Sequence, residues 1–229
     1  MSETAKFDIS EVQSIATRVI KDPAGFYRNM PRDGGYTQPL LFITVIAVFT
    51  GLLFAMLSMI GGPYLGGATG GILSVILLPV GMILGCLVAS AILFVIWKLM
   101  GSTQRYETAF RCQAFAGSIV PITALLSMIP YLGSIAAVAW GSWLLILASV
   151  EVHGIARQKS MIVFSILGVL LIYSNVSNER MMRNMAERAA HMEGDAEETM
   201  QNLENMSPEE ARKALGELLN ELEGGQQQE

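Results

Sequence analysis

The side chains able to do acid–base or metal chemistry are few, and their spacing keeps them apart. The chain contains two histidines, His153 and His191, and two cysteines, Cys86 and Cys112. Glu151 and His153 are the one ionisable pair beside a long apolar run. Spaced i,i+2 on a helix they point to different faces, which suits a two-ligand metal site poorly and leaves them a candidate polar site. Glu107 and Arg111 are four residues apart, beside Tyr106 and Phe110, and read as a structural ion pair on a short interfacial helix. This inventory assembles no H-E-x-x-H, no cysteine cluster and no Ser-His-Asp set, so no catalytic residue, metal site or cofactor is expected. Six glycines fall within Gly61–Gly71, but a phosphate cradle needs a preceding strand and a Lys-Ser/Thr ending. The run reads as a flexible, uncharged connection.

What positions these residues follows from the distribution of charge. Residues 40–174 hold only seven of the chain's 35 charged side chains: Lys98, Arg105, Glu107, Arg111, Glu151, Arg157 and Lys159. Between Asp33 and Lys98 lie 64 uncharged residues, and 39 more run from Cys112 to Val150. A bilayer core about 30 Å thick needs roughly 20 apolar residues per helix, and no soluble domain of this size needs such stretches. A soluble globular enzyme, a disordered chain and a disulfide scaffold are excluded. Cys86 and Cys112 are expected as free thiols, because the helix from Cys86 to Lys98 alone puts about 18 Å between their levels.

Five apolar segments result, at about 40–60, 72–97, 114–129, 134–153 and 161–174. Trp97-Lys98 fits an interfacial anchor. The third and fourth segments are separated by Pro130-Tyr131-Leu132-Gly133 and form a helical hairpin. The fifth has only 13 apolar residues, Met161–Tyr173, about 20 Å of helix. It either extends through Asn175–Asn178 or is re-entrant, which leaves the side of the tail open. Ten lysines and arginines flank the segments on one side and none occurs in the connections on the other, so the amino terminus is expected in the cytosol.

Residues 1–39 show no signal peptide. Ser10 with Gln13, or Asp8 with Glu11, has capping-box spacing, and Val12, Ile15, Ala16 and Val19 follow at helical intervals. Asp22-Pro23 restarts a short helix carrying Phe26, Tyr27 and Met30. With Arg18, Lys21, Arg28 and Arg32 alongside, this segment suits either an anionic membrane surface or the protein's own cytosolic face. Residues 175–229 form an acidic tail of net charge -8. Met182, Met185, Ala189, Met192, Ala196, Thr199, Leu203 and Met206 make a heptad seam suited to self-association as a coiled coil. Ser207-Pro208-Glu209-Glu210 starts a second helix that Gly224-Gly225 ends.

Within the membrane, small residues recur every four positions: Ala47, Gly51 and Ala55; Gly81, Gly85 and Ala89; Gly133, Ala137 and Gly141. Such faces let helices approach closely in lipid. Pro79 and Pro121 sit inside spans and are expected to kink them. No ionisable residue falls in the middle of a segment, which weighs against ion-coupled transport. An uncharged path through Thr44, Thr50, Ser90, Ser118, Thr123 and Ser127 is the remaining route for a channel.

Several of these features together resemble the Yip domain family, membrane proteins named for interaction with Ypt/Rab GTPases. They are Asp22-Pro23 with Phe26-Tyr27, the glycine-rich loop, Tyr106-Glu107-Thr108-Ala109-Phe110-Arg111 running into Phe115-Ala116-Gly117-Ser118 and Pro121, and Trp143-Leu144-Leu145-Ile146-Leu147 running to His153. The resemblance covers roughly residues 15–174 and implies five spans, a cytosolic amino terminus and a carboxyl terminus on the opposite side. The Asp-Leu-Tyr-Gly-Pro motif of eukaryotic members is absent, and Ser118 stands where a Gly-Tyr pair is expected. Those departures weigh against GTPase binding and towards a bacterial-type member.

The chain thus reads as an all-α integral membrane protein. Residues 1–39 form an amphipathic segment, 40–174 a five-helix membrane domain and 175–229 a helical tail. The expected function is a non-catalytic, homo-oligomeric membrane scaffold in the bacterial cytoplasmic membrane, with a channel, transporter or lipid scramblase as the alternative. Its expected partners are the lipid bilayer, further copies of itself, and a protein on the tail or amino-terminal helix; nucleic acid is not among them.

Overall fold

The computed structural model describes residues 9–60 and 67–205. Among these, eight α-helices follow one another: α1 (Ile9–Lys21), α2 (Pro23–Asn29), α3 (Thr37–Ile60), α4 (Gly67–Leu99), α5 (Tyr106–Ala116), α6 (Val120–Leu126), α7 (Leu132–Glu151) and α8 (Arg157–Asn205). A 3-10 turn, Gly117–Ile119, joins α5 to α6. By its contacts the chain divides into a unit of Met1–Arg180 and a unit of Met181–Glu229. The cap at Asp8, the residues Gly61–Gly66 of the glycine-rich loop, Met206 of the seam and the helix expected after Ser207 lie outside the described residues.

Five stretches are long and apolar enough to cross a membrane: Thr37–Ser58, Leu73–Leu99, Tyr106–Leu126, Leu132–Glu151 and the α8 stretch from Arg157. The bundle is all-α, and outward residues such as Ile76, Leu84, Val88 and Ile92 on α4 are exposed as a lipid-facing surface requires.

Several boundaries differ from the sequence expectation. Helix α4 begins at Gly67, so the last glycines of the supposed loop are helical. The short helix expected around Tyr106 is the first part of the third span itself, whose charges meet partners in the amino-terminal segment. Pro121 is no kink inside a helix, because the 3-10 turn has already interrupted the span and Pro121 lies in the first turn of α6. There its missing N–H has no helical partner to lose. Pro79 does lie inside α4.

The fifth segment is not re-entrant. Helix α8 is continuous past Tyr173, and Glu179 reaches the start of α7, where its carboxylate accepts the Tyr131 N–H at 2.9 Å and the Ser134 hydroxyl at 2.9 Å. From Arg157 to Glu179 a helix rises about 33 Å, enough for a hydrocarbon core. Glu179 thereby satisfies one of the open N–H groups at the head of α7.

The small residues divide into two kinds. A methyl group on Gly51 would stand 3.1 Å from the Ser74 carbonyl oxygen and 3.3 Å from Val75 Cα, beside the turn that Pro79 interrupts. On Gly133 it would stand 2.7 Å from the Ser127 backbone and 2.8 Å from the Thr123 carbonyl, so the α6–α7 hairpin closes only around a glycine. Ala47 is fully buried. Gly81, Gly85 and Gly141 face open space, with nothing within 4 Å of an added methyl. Gly168, which no periodicity singled out, meets the Ser142 hydroxyl of α7.

In the second unit, the described part is helical. Met182, Met185, Ala189, Met192 and Ala196 of the heptad seam are exposed.

Gly133→Ala is expected to destabilise the bundle by about 1–3 kcal/mol, since the added carbon meets backbone rather than a movable side chain. Gly81→Ala is expected to be neutral or mildly stabilising, because its methyl enters open space and relieves the glycine's entropic penalty. Thermal unfolding of both variants in detergent micelles checks the contrast.

Candidate functional site

Arg28, Glu107, Arg111, Glu151 and His153 lie at the end of the bundle where α1 and α2 dock. Helix α1 turns Val12, Ile15 and Val19 inward, each buried against a core that includes Phe42, Phe115 and Ile119. Burying three such side chains stabilises docking by about 5–9 kcal/mol relative to leaving them in water. Of the two placements open from sequence, the structure adopts packing on the protein's own face. Asp22 caps α2 by accepting the Gly25 N–H at 3.0 Å, and a Cβ on residue 25 would collide with that carboxylate.

Three further contacts fasten this segment. The Tyr27 hydroxyl donates to the Cys112 carbonyl at 3.3 Å; burial, then the nearby Cys112, push the phenol's pKa well above its ordinary value. Arg28 makes a two-pronged ion pair with Glu151 at the end of α7, at 2.9 and 3.1 Å. That contact holds the Arg28 pKa above its ordinary value. Glu107 accepts the Gly35 N–H at 2.6 Å, while Arg111 donates to the Gly35 carbonyl at 3.1 Å and to Gln38 Oε1 at 2.8 Å. The expected Glu107–Arg111 ion pair gives way to a clamp in which both side chains grip the connector leading into α3.

Glu151 and His153 are not brought together. Glu151 belongs to Arg28, whereas His153 is turned inward, 8% exposed. Its Nδ1 lies 2.7 Å from the Ser102 hydroxyl, and its ring stacks on Trp97 with centroids 3.9 Å apart. Trp97 itself is wholly buried and donates its indole N–H to Ser149 at 2.7 Å. It is therefore a core residue and not the interfacial anchor expected from Trp97-Lys98. An indole with an internal acceptor has no need of the headgroup layer. Lys159, in the first turn of α8, donates to the Met100 carbonyl at 2.8 Å, so α8 is tied to the α4–α5 connection as His153 is through Ser102. Cys86 and Cys112 are buried free thiols. Among the described residues, no three His, Cys, Asp or Glu side chains converge as a metal site would need.

Among the cavities lined by described residues, two bear on function. One, of about 380 Å³, lies among α1, α2, the start of α3 and α5, and is lined by Arg18, Asp22, Phe26, Gln38 and Arg111 with others. The second, about 220 Å³, is an apolar crevice between the broken third span and α7, lined by Gln113, Gly117, Val120, Gly141 and Leu171 among others. It is the open space beside Gly141. The sequence carried no sign of the first cavity, because its lining comes from four separate elements.

Burial, then the charges of Arg32 and Lys98, lower the His153 pKa to about 4. The unfolded chain titrates near 6.5, so between these values the unfolded state holds the extra proton. Stability should be complete above about pH 6.5 and decline by about 3 kcal/mol as pH falls towards 4. In His153→Asn this part of the pH dependence should vanish. The difference between the two unfolding profiles, wild type against variant, is the readout.

Residues 17–177 match the Yip1 domain. No curated protein and no solved structure matches the chain. The matched region opens inside α1, takes in the Asp22 cap, the Glu107–Arg111 clamp and the Trp97–His153 stack, and closes within α8 just before Glu179. It leaves out the methionine seam. With well over half its length matched, this integral membrane protein belongs to the Yip1 domain family.

Proposed function

We propose that the protein is a non-catalytic membrane scaffold, assembled from several copies through the tail seam, with its amino terminus in the cytosol of a bacterial cell. The observation that carries this reading is what the uncharged polar residues of the spans do. Thr44, Thr50 and Ser90 each donate to the carbonyl four residues earlier in the same helix, at 2.7, 2.7 and 2.6 Å. Ser118, Thr123 and Ser127 donate to the carbonyl three residues earlier, at 2.6, 3.1 and 2.6 Å. All six hydroxyl protons are thus spent on backbone carbonyls one turn earlier in the chain, as suits a packed bundle more than a hydrated path. The ten-to-none distribution of basic residues supports the orientation. The exposed methionines at heptad spacing support self-association. A lipid-translocating reading stands second, favoured by the apolar crevice beside Gly141.

The test is the mass of the full-length protein in nanodiscs or mild detergent, beside Met185→Glu with Met192→Glu in the same chain. The scaffold reading expects a defined oligomer that the two seam carboxylates reduce to monomer, with no lipid or ion flux in proteoliposomes. A wild-type protein that is monomeric at every concentration overturns assembly through the seam. Flux that persists in the seam variant assigns the second reading.

A further inference from the structure

The cavity of about 380 Å³ beneath α1 and α2 has a lining that points to a ligand class. Arg111 is 1% exposed; its hydrogen bonds go to two neutral acceptors, the Gly35 carbonyl and the Gln38 side-chain oxygen, its guanidinium lies over the Phe115 ring at 5.8 Å, and the carboxylates of Glu107 and Asp33 act on its charge without pairing with it. Its Nε has no hydrogen-bond partner, and among the described residues Arg111 forms no ion pair. A buried cation with a donor unspent is costly unless an anion completes it. Arg18 on α1 supplies a second guanidinium to the same lining. The one carboxylate there is Asp22, already engaged in capping Gly25 through Oδ1. Phe26, Phe115, Ile15 and Met30 make the remaining wall apolar. Gln38 lies in the first turn of α3 and Arg111 is the middle residue of α5, near the charged end of the bundle, where positive-inside flanks meet the headgroup layer.

We propose that this cavity binds a phosphate oxyanion, held between Arg18 and Arg111 with its ester substituent against the phenylalanine wall. Two arginines around a phosphate give short, charge-assisted hydrogen bonds that a lysine reproduces only as a point charge. The same chemistry is offered by a phospholipid headgroup entering from the bilayer and by free phosphate entering from water. The site is independent of the tail seam and of the oligomeric reading.

The test uses the full-length protein in nanodiscs of phosphatidylcholine, with phosphatidylglycerol added or withheld. Native mass spectrometry counts retained lipid, and thermal unfolding is followed with added short-chain phosphatidic acid or inorganic phosphate. Both are repeated on Arg18→Gln, whose side chain is exposed, and on Arg111→Lys, which keeps the buried charge. Anionic lipid retained by the wild type and lost about tenfold in either variant is the expected result. Stabilisation by phosphatidic acid but not by inorganic phosphate makes the source a lipid; equal stabilisation by both makes it free phosphate. If neither stabilises the wild type, or if both variants retain anion as the wild type does, the cavity holds water and the proposal is wrong.

Discussion

Hydrocarbon offers no water to a polar group, and the architecture is organised around that constraint. Five helices satisfy their own backbones, but their ends, breaks and charged side chains need partners brought from elsewhere in the chain. Glu179 travels the length of a span to meet the head of α7. Glu107 and Arg111, which head a helix bound for the bilayer, are met by the connector at Gly35 and Gln38. The indole of Trp97 is met by Ser149 and its face by His153. Each contact joins parts of the chain far apart in sequence, and those of Gln38, Trp97, Glu107 and Arg111 hold together the end of the bundle that bears α1 and α2.

This explains what could be read in the sequence and what could not. The spans were legible because apolar composition over about 20 residues is a property of consecutive residues, and so was the α2 cap, because Asp22 and Pro23 are neighbours. The reach of α8 was left between two readings, extension through Asn175–Asn178 or a re-entrant segment. The apolar run ends at Tyr173, and the contact that fastens the helix beyond it is made by Glu179 with a partner 48 residues earlier. Trp97-Lys98 carried the composition of an interfacial anchor, and only the stack with His153 shows the indole turned inward. Small-residue spacing located three candidate faces. It could not say that Gly51 and Gly133 meet backbone while Gly81 and Gly141 meet nothing, since spacing records which residues share a side and not what stands opposite.

The site tells the same story. Glu151 and His153 drew notice as neighbours in sequence, yet one faces Arg28 and the other Ser102. The cavity between Arg18 and Arg111 is assembled from residues no local motif connects. Charged and apolar side chains together line the gap that the amphipathic segment leaves against the membrane domain.

The docking of α1 and α2 also has a consequence in time. Their seat is built by Phe115, Ile119 and Glu151, which leave the ribosome long after Val19 and Arg28 have done so. At 5–20 residues per second, the interval between Arg28 and Glu151 is roughly 6–25 s. Throughout it, a basic segment with an unpaired apolar stripe stands beside a bilayer. Through that interval the stripe has no protein seat, so the docking of α1 and α2 is a late contact made by an early segment, and it closes only when the end of α7 is in place.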